Sequence, residues 1–322
     1  MMRSPGSDVV VSALREQLRE VIATCVAPPI RKELVNLLGR PGYALHAGGS
    51  CRAGTLALDV HGAVFREPPG RSALLAAAAL ELQMEAAYLF DEVADAAPDA
   101  RRSEDLALAI ALLTAGGAAA VEAAAFSGDP AGALRHFCMD YNEACAGQFL
   151  DAMLQRRGQA TFEEALQMTC LKSGGLGKFV TGFAARIAGV DPDEVILFEQ
   201  LGRDTFTLAQ LVDDMRDACT HGRDSDLAQR KATLPVVYFR QRIDSLAPID
   251  GMLFPELHQI YESSGAPLYA AILARAYMSR AQQDLSQLAR RAYAVGGLGR
   301  FLESVESGAE EILGAACGGL VA

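Results

Sequence analysis

Tryptophan is absent from this 322-residue chain, and its five histidines, His46, His61, His136, His221 and His258, fall at no metal-ligand spacing. They read as structural or surface residues, which removes a histidine metal site from consideration. No Ser-His-Asp or Cys-His order is readable either. Cations are the scarcer charge, with 29 Lys and Arg against 40 Asp and Glu and a net charge of −11. That balance argues against a nucleic-acid partner, because phosphate binding is dominated by Lys and Arg. An anionic substrate then has to be held through metal or a local basic patch. The seven cysteines, Cys25, Cys51, Cys138, Cys145, Cys170, Cys219 and Cys317, are odd in number and show no paired spacing. Buried free thiols in a reducing cytoplasm are the expectation. The opening MMRSPGSDVVVSALREQLRE runs straight into charged amphipathic sequence, and no apolar run long enough to span a bilayer appears without interruption. The expected protein is cytoplasmic, with no signal peptide and no membrane span.

What the chain has in quantity is helix-forming apolar sequence. Hydrophobic residues make up 51%, with Ala-rich runs such as Leu74 to Leu80, a composition that favours helix. From Ser7 the pattern places Val11, Leu14, Leu18 and Ile22 on one face, and comparable periodicity recurs almost to the C-terminus. Strand-like alternation is nearly absent. Pro- and Gly-bearing breaks, among them Pro28-Pro29, Gly39 to Gly49, Gly128-Asp129-Pro130, Gly189 to Pro192 and Ser263 to Pro267, leave roughly ten helices. No long linker separates them, so one α-helical domain over residues 1–322 is the simplest architecture. The segments GGLGKF (Gly174 to Phe179) and GGLGRF (Gly296 to Phe301) echo each other. A phosphate-binding loop needs a longer Gly-to-Gly-Lys spacing and a preceding strand, so these read as helix-packing glycines.

Two acid clusters interrupt the apolar pattern: Asp91-Glu92-Val93-Ala94-Asp95 and Asp213-Asp214-Met215-Arg216-Asp217. Acids at i and i+4 stack on one helix face and repel each other there. Two such clusters on apolar helices suggest a neutralising cation, and hard oxygen ligands suit Mg²⁺ bridging carboxylates to a substrate's phosphates. Taken alone, either cluster could be a solvated face with local partners, Asp217 with Arg216 or Arg223 and Asp95 with Arg101.

The flanks carry more. The first cluster follows Glu81-Leu82-Gln83-Met84-Glu85-Ala86-Ala87-Tyr88-Leu89-Phe90 and precedes Arg101-Arg102. The second lies in Gln210-Leu211-Val212-Asp213-Asp214-Met215-Arg216-Asp217 and leads to Ser225-Asp226 and Arg230-Lys231-Ala232-Thr233-Leu234-Pro235. With Gly147-Gln148, Asp151 and Lys172-Ser173-Gly174 between them, this order resembles the trans-isoprenyl diphosphate synthase (polyprenyl synthetase) family. The resemblance implies an all-α isoprenoid synthase fold in which the clusters bind three Mg²⁺ around an allylic diphosphate. On that mapping Asp91, Glu92, Asp95, Asp213, Asp214 and Asp217 are metal ligands or their supports. Lys172, Lys231 and Arg101 match positions that grip the allylic diphosphate, and Gln210 matches a family Gln facing the reacting allyl group. Asp91, Asp95, Asp213, Lys172 and Gln210 are the expected catalytic set. Gln148, Arg102 and Arg52 are expected to contact substrate. Homodimerisation is also implied, with the apolar stretch Leu106 to Phe126 as interface material.

The departures fall on one side. Elongating members carry a Gly-Gly-Lys-Arg-x-Arg-Pro type segment for the diphosphate of isopentenyl diphosphate, and here the matching stretch is Gly48-Gly49-Ser50-Cys51-Arg52-Ala53. A family His is replaced by Gln83-Met84, and Ser103-Glu104-Asp105 follows Arg101-Arg102 in place of a Gly-Lys-Pro run. Losing these cations should weaken a second diphosphate site, since charge-assisted contacts to phosphate are the strong ones. The expectation is therefore a class I terpene synthase that ionises a prenyl diphosphate and lets its own double bonds attack. The alternatives are a polyprenyl (geranylgeranyl or farnesyl) diphosphate synthase, a prenyltransferase to another acceptor, and a non-catalytic subunit. Ala86 and Ala87, one turn before the first cluster, leave room for a C20 chain ahead of C15. Phe179, Phe183, Phe206 and Met84 are candidates to line the cavity and, for the phenyl rings, to stabilise cations.

Overall fold

A computed structural model describes residues 5–47, 49, 51–95, 102–219, 225–243 and 254–318. These residues form α1 (Pro5–Cys25), α2 (Pro28–Leu38), α3 (Arg52–Phe65), α4 (Arg71–Asp95), α5 (Arg102–Ala124), α6 (Pro130–Arg157), α7 (Phe162–Thr169), α8 (Gly175–Ile187) and α9 (Pro192–Cys219). They continue through α10 (Asp226–Gln229), α11 (Leu234–Ile243), α12 (Phe254–Ser263), α13 (Ala266–Arg290) and α14 (Gly296–Gly318), with a π-helical segment, Cys170–Gly174, between α7 and α8. No strand occurs among the described residues, as the periodicity requires. The helices outnumber the expected ten because short elements such as α10, of four residues, carry too little pattern to be seen in sequence.

The chain gathers into two compact units made of alternating segments. Unit one comprises Met1–Met139, Phe179–Phe198 and Leu288–Leu298, and unit two comprises Asp140–Lys178, Glu199–Gln287 and Gly299–Ala322.

Unit one is organised by α4. Every residue from Leu75 to Ala86 is buried, against α5, α3 and α1, which is what an all-round apolar helix requires. Alanine keeps the helices close: a Cβ added at Gly116 of α5 would lie 3.0 Å from the Ala79 carbonyl oxygen. Larger side chains from α1, Leu14, Leu18 and Ile22, fill the remaining core. Truncating one of these to Ala would cost about 2–5 kcal/mol. Contrary to the sequence expectation, α4 and α5 are both long and apolar enough to cross a membrane by length and composition. Burial gives α4 its other explanation, that of a core helix. On α5, Ile110 and Val121 face outward, as does Phe126 just beyond it.

In unit two a core of Leu154, Met168, Leu208, Leu211, Met215 and Leu234 is buried together. Its α7 starts with a capping box, in which the Glu164 N–H donates to Thr161 Oγ1 at 3.2 Å and the Thr161 N–H donates to Glu164 Oε2 at 2.8 Å. Gly177, of the GGLGKF echo, is a packing glycine: a Cβ there would meet the Gly202 carbonyl oxygen at 2.1 Å.

The cysteines correct a second expectation. All six in the described set are free thiols, but Cys25, Cys138, Cys145 and Cys219 are exposed, and only Cys51 is buried. Helical phase puts the four on outward faces, which a cysteine's apolar character alone does not reveal.

Candidate active site

In unit one, α4 carries a stripe of carboxyls at helical spacing, Glu81, Glu85 and Glu92, leading to the first acid cluster. Each fastens a neighbouring backbone or loop. The Gly54 N–H donates to Glu81 Oε2 at 2.7 Å, the Ala44 N–H donates to Glu85 Oε1 at 2.8 Å, and the Tyr43 hydroxyl donates to Glu92 Oε2 at 2.9 Å. From the other side Arg15 donates to the carbonyls of Ala44, His46 and Gly49 at 3.0, 2.7 and 2.8 Å. The loop between α2 and α3 is thus strapped to α4 and α1. Burial, with the adjacent Glu85, pushes the Glu81 carboxyl up to about 8, and burial pushes Glu85 up to about 7.

Between this loop and α4 lies a cavity of about 400 Å³ whose lining includes Gly49, Arg52, Glu81, Met84, Glu85 and Tyr88. Gly49 and Arg52, of the stretch that the resemblance assigned to a second diphosphate, therefore do line a cavity, with one arginine and two carboxyls around it among the described residues. Asp91 is half-buried and Glu92 exposed at the end of α4. Asp95 closes the helix, with its side chain outside the described set, and Arg101 lies outside the described residues. Arg102 is exposed at the start of α5, Ala86 is fully buried and Ala87 half-buried.

In unit two the expected residues converge. Lys172 sits on the π-helical segment and its Nζ meets Asp151 Oδ2 at 2.7 Å. This contact needs Gly147, since a Cβ there would lie 2.1 Å from the Lys172 backbone nitrogen; the glycine lets α6 and the π turn pass close enough. Ser173 Oγ donates to Gln210 Oε1 at 2.7 Å, and Gln210 Nε2 donates to Asp214 Oδ1 at 2.7 Å. Asp214 is buried, and burial raises its carboxyl to about 8 against the opposing bond from Gln210. Its Oδ2 is buried without a hydrogen-bond partner. Asp213 and Asp217 are exposed on the outer side of α9, where Asp213 pairs with Arg216 at 2.7 Å. Lys231 reaches Asp226 at 3.3 Å, and burial raises the Asp226 carboxyl, with Asp217 adding in the same direction. Gln148 is half-buried one turn before Asp151 on α6.

A divalent ion fits this chemistry. In unit one Asp91, and in unit two Asp213 and Asp217, offer hard carboxylate oxygens that are not sealed in the core, and Asp214 holds an orphaned buried oxygen next to Asp213 in sequence. Among the described residues no three His, Cys, Asp or Glu side chains converge into a metal cage. Mg²⁺ rarely asks for one, since it is usually bound by one or two carboxylates plus substrate phosphates.

Two expectations need correction. Phe179 and Phe183 are fully buried in unit one and pack edge-on against Phe137, with centroids 4.9 and 4.8 Å apart. They are core residues, sealed from solvent. Asp214 points into the protein, so it supports α9's acidic face from behind. Sequence reasoning also passed over Glu81, Glu85 and Tyr43. The i, i+4 spacing that drew attention to Asp91 and Asp95 applies equally to Glu81 and Glu85.

Residues 37–248 match the Polyprenyl synthetase family. The geranylgeranyl diphosphate synthase of Mycobacterium tuberculosis (strain ATCC 25618 / H37Rv) is 32% identical over 111 residues, 33% of this chain. That match spans 32% of the relative's own length. A solved geranylgeranyl pyrophosphate synthase superposes with a TM-score of 0.75 at 20% identity, covering 97% of this chain and 99% of that one. A polyprenyl synthase from Caulobacter crescentus CB15, complexed with calcium and isoprenyl diphosphate, superposes at 0.72 with 18% identity over 95% of each chain. The fold is thus the all-α isoprenoid synthase fold.

Proposed function

The chain belongs to the polyprenyl synthetase family, and on that premise we propose that it is a divalent-metal-dependent prenyltransferase that ionises an allylic diphosphate and passes the prenyl group to an acceptor. The observation that carries this reading is the unit-two cluster, where Lys172, Asp151, Ser173, Gln210 and Asp214 are linked by hydrogen bonds and charge. Bound Mg²⁺ would supply Lewis-acid stabilisation of the departing diphosphate. In unit one Asp91 and Asp95, supported by Glu92, and in unit two Asp213 and Asp217, supported by Asp214, are the carboxylates that would hold such ions. Lys172 and Lys231, now paired with Asp151 and Asp226, supply the cations for the diphosphate's charge, joined by Arg101 and Arg102. Gln210, fixed between Ser173 and Asp214, presents a defined dipole towards the allyl group. Buried Ala86 and half-buried Ala87 take up little of the prenyl tail's space.

Relatives named as diphosphate synthases favour transfer to a second substrate over the cyclisation expected first from sequence. Cyclisation stays as the second reading because the Gly48 to Ala53 stretch contributes a single cation, Arg52. We also infer a homodimer formed through the outward apolar residues of α5, for which light scattering should return twice the chain mass. The purified protein is incubated with Mg²⁺ and geranyl, farnesyl or geranylgeranyl diphosphate, with and without isopentenyl diphosphate, and released diphosphate and organic products are measured. Metal-dependent diphosphate release is the expected result. No release from any of the three overturns the proposal, and hydrocarbon formed without a second substrate selects cyclisation.

A further inference from the structure

The cavity between the α2–α3 loop and α4 has a chemistry that the family motifs do not describe. Among the described residues its charged lining is Arg52 against Glu81 and Glu85, with Met84 and Tyr88 as the apolar part. Among the described residues a diphosphate placed here would meet one guanidinium and two carboxyls, both buried on α4. A volume of about 400 Å³ suits a molecule of one or two rings. A thioether and a phenol ring make a suitable wall for an aromatic body.

The two carboxyls divide the polar work. Glu81 is the deeper, bonded to the Gly54 N–H at the start of α3, and near neutral pH it keeps its proton. Glu85 gives one oxygen to the Ala44 N–H, and a carboxylate has acceptor sites left after one bond. Its proton affinity is close to neutrality, where a general base is most useful. Along α4 the six residues from Glu85 to Asp91 rise about 9 Å, a span that a small acceptor covers.

Resting on the prenyltransferase reading, we propose that this cavity binds an uncharged acceptor bearing an N–H or O–H group and that Glu85 receives its proton as the acceptor is prenylated. The acceptor's nucleophilic atom forms the new bond to the allylic carbon. The carbon–oxygen bond to diphosphate breaks, with its electron pair leaving on diphosphate, and the acceptor's proton passes to the Glu85 carboxylate. No oxidant or reductant is needed.

Indole and phenol are the probes, with 1-methylindole and anisole as partners lacking the donor. Because the chain has no Trp, indole fluorescence reports its own binding. Indole or phenol should bind at least ~10-fold more tightly than its methylated partner and, with Mg²⁺ and a prenyl diphosphate, give a prenylated product by mass spectrometry. Glu85→Gln retains an oxygen for the Ala44 N–H, and should lower product formation at least ~100-fold. Binding by neither probe, equal binding of the methylated partners, or wild-type rates in Glu85→Gln would each overturn the assignment. So would faster elongation of isopentenyl diphosphate than prenylation of either probe. Diphosphate release separates the two claims: its absence with every acceptor tried removes the prenyltransferase reading, and its presence with isopentenyl diphosphate as the only acceptor used removes only this one.

Discussion

In unit one the acid cluster is steadied from outside its helix, with Glu92 held by the phenol of a loop residue, Tyr43, at 2.9 Å. In unit two the direct support comes from within α9, where Gln210 holds Asp214 at 2.7 Å, and Ser173 of the π-helical segment holds Gln210 at 2.7 Å. The second acid of each cluster is therefore held in a different way. A partner one turn away on the same helix is positioned by helix geometry itself, whereas a loop partner keeps its place only while the loop does. The inner network also sits behind buried Asp214, so disturbing it leaves polar atoms stranded. Loss of the Tyr43 contact leaves Glu92 exposed to water, which can replace it.

The strongest test of this contrast is at the acids themselves. Asp213→Ala and Asp91→Ala should each lower Mg²⁺-dependent diphosphate release by about 10³-fold, measured with a pyrophosphate assay. A large effect at Asp213 with none at Asp91 would confine the metal chemistry to unit two. Next in size is Gln210→Leu, which strands both Ser173 and Asp214. It should cost about 1–3 kcal/mol in urea unfolding and about 10–100-fold in rate. Tyr43→Phe, the matching change in unit one, should cost only about 0.5–1.5 kcal/mol, with a rate change of a few-fold. The reverse ranking of these two variants would break the distinction between helix-borne and loop-borne support.

The smallest effect concerns pH. In the folded protein Glu85 holds its proton up to about 7, above its ordinary value of 4.5. Between those values the folded state binds more protons than the unfolded chain, so this group's stabilisation is complete below pH 4.5 and is lost as pH rises through 7. Wild type should therefore lose more thermal stability between pH 4.5 and 8 than Glu85→Gln, by roughly 2–5 °C, read by differential scanning calorimetry. Equal losses would mean that Glu85 gains no proton affinity on folding.

Much of the hydrogen-bonded cluster in unit two was legible as motif order. Lys172, Gln210 and the Asp213 cluster were recognisable because motif order and helical period are properties of neighbours in the chain. Their partners were partly visible too, Asp151 and Asp226 lying within the same motifs. Unit one was harder to read. Glu81 and Glu85 looked like ordinary members of an apolar helix, since nothing local marks a carboxyl as buried. Phe179 and Phe183 are apolar rings at helical spacing, which more often marks core than cavity, and Phe137 against their edges places them in the core.

Composition and period by themselves determined an all-α chain, its main breaks and two acid clusters of the kind that suits Mg²⁺, because each depends on residues within one or two helical turns, while the order of motifs along the chain carried the resemblance to its family. Tertiary structure alone decided which acids are buried, which oxygens are already occupied, and that the stretch ending in Arg52 faces a cavity with two carboxyls. Those outcomes depend on contacts such as Tyr43 with Glu92, 49 residues apart, and on desolvation by helices distant in sequence, which no local pattern encodes.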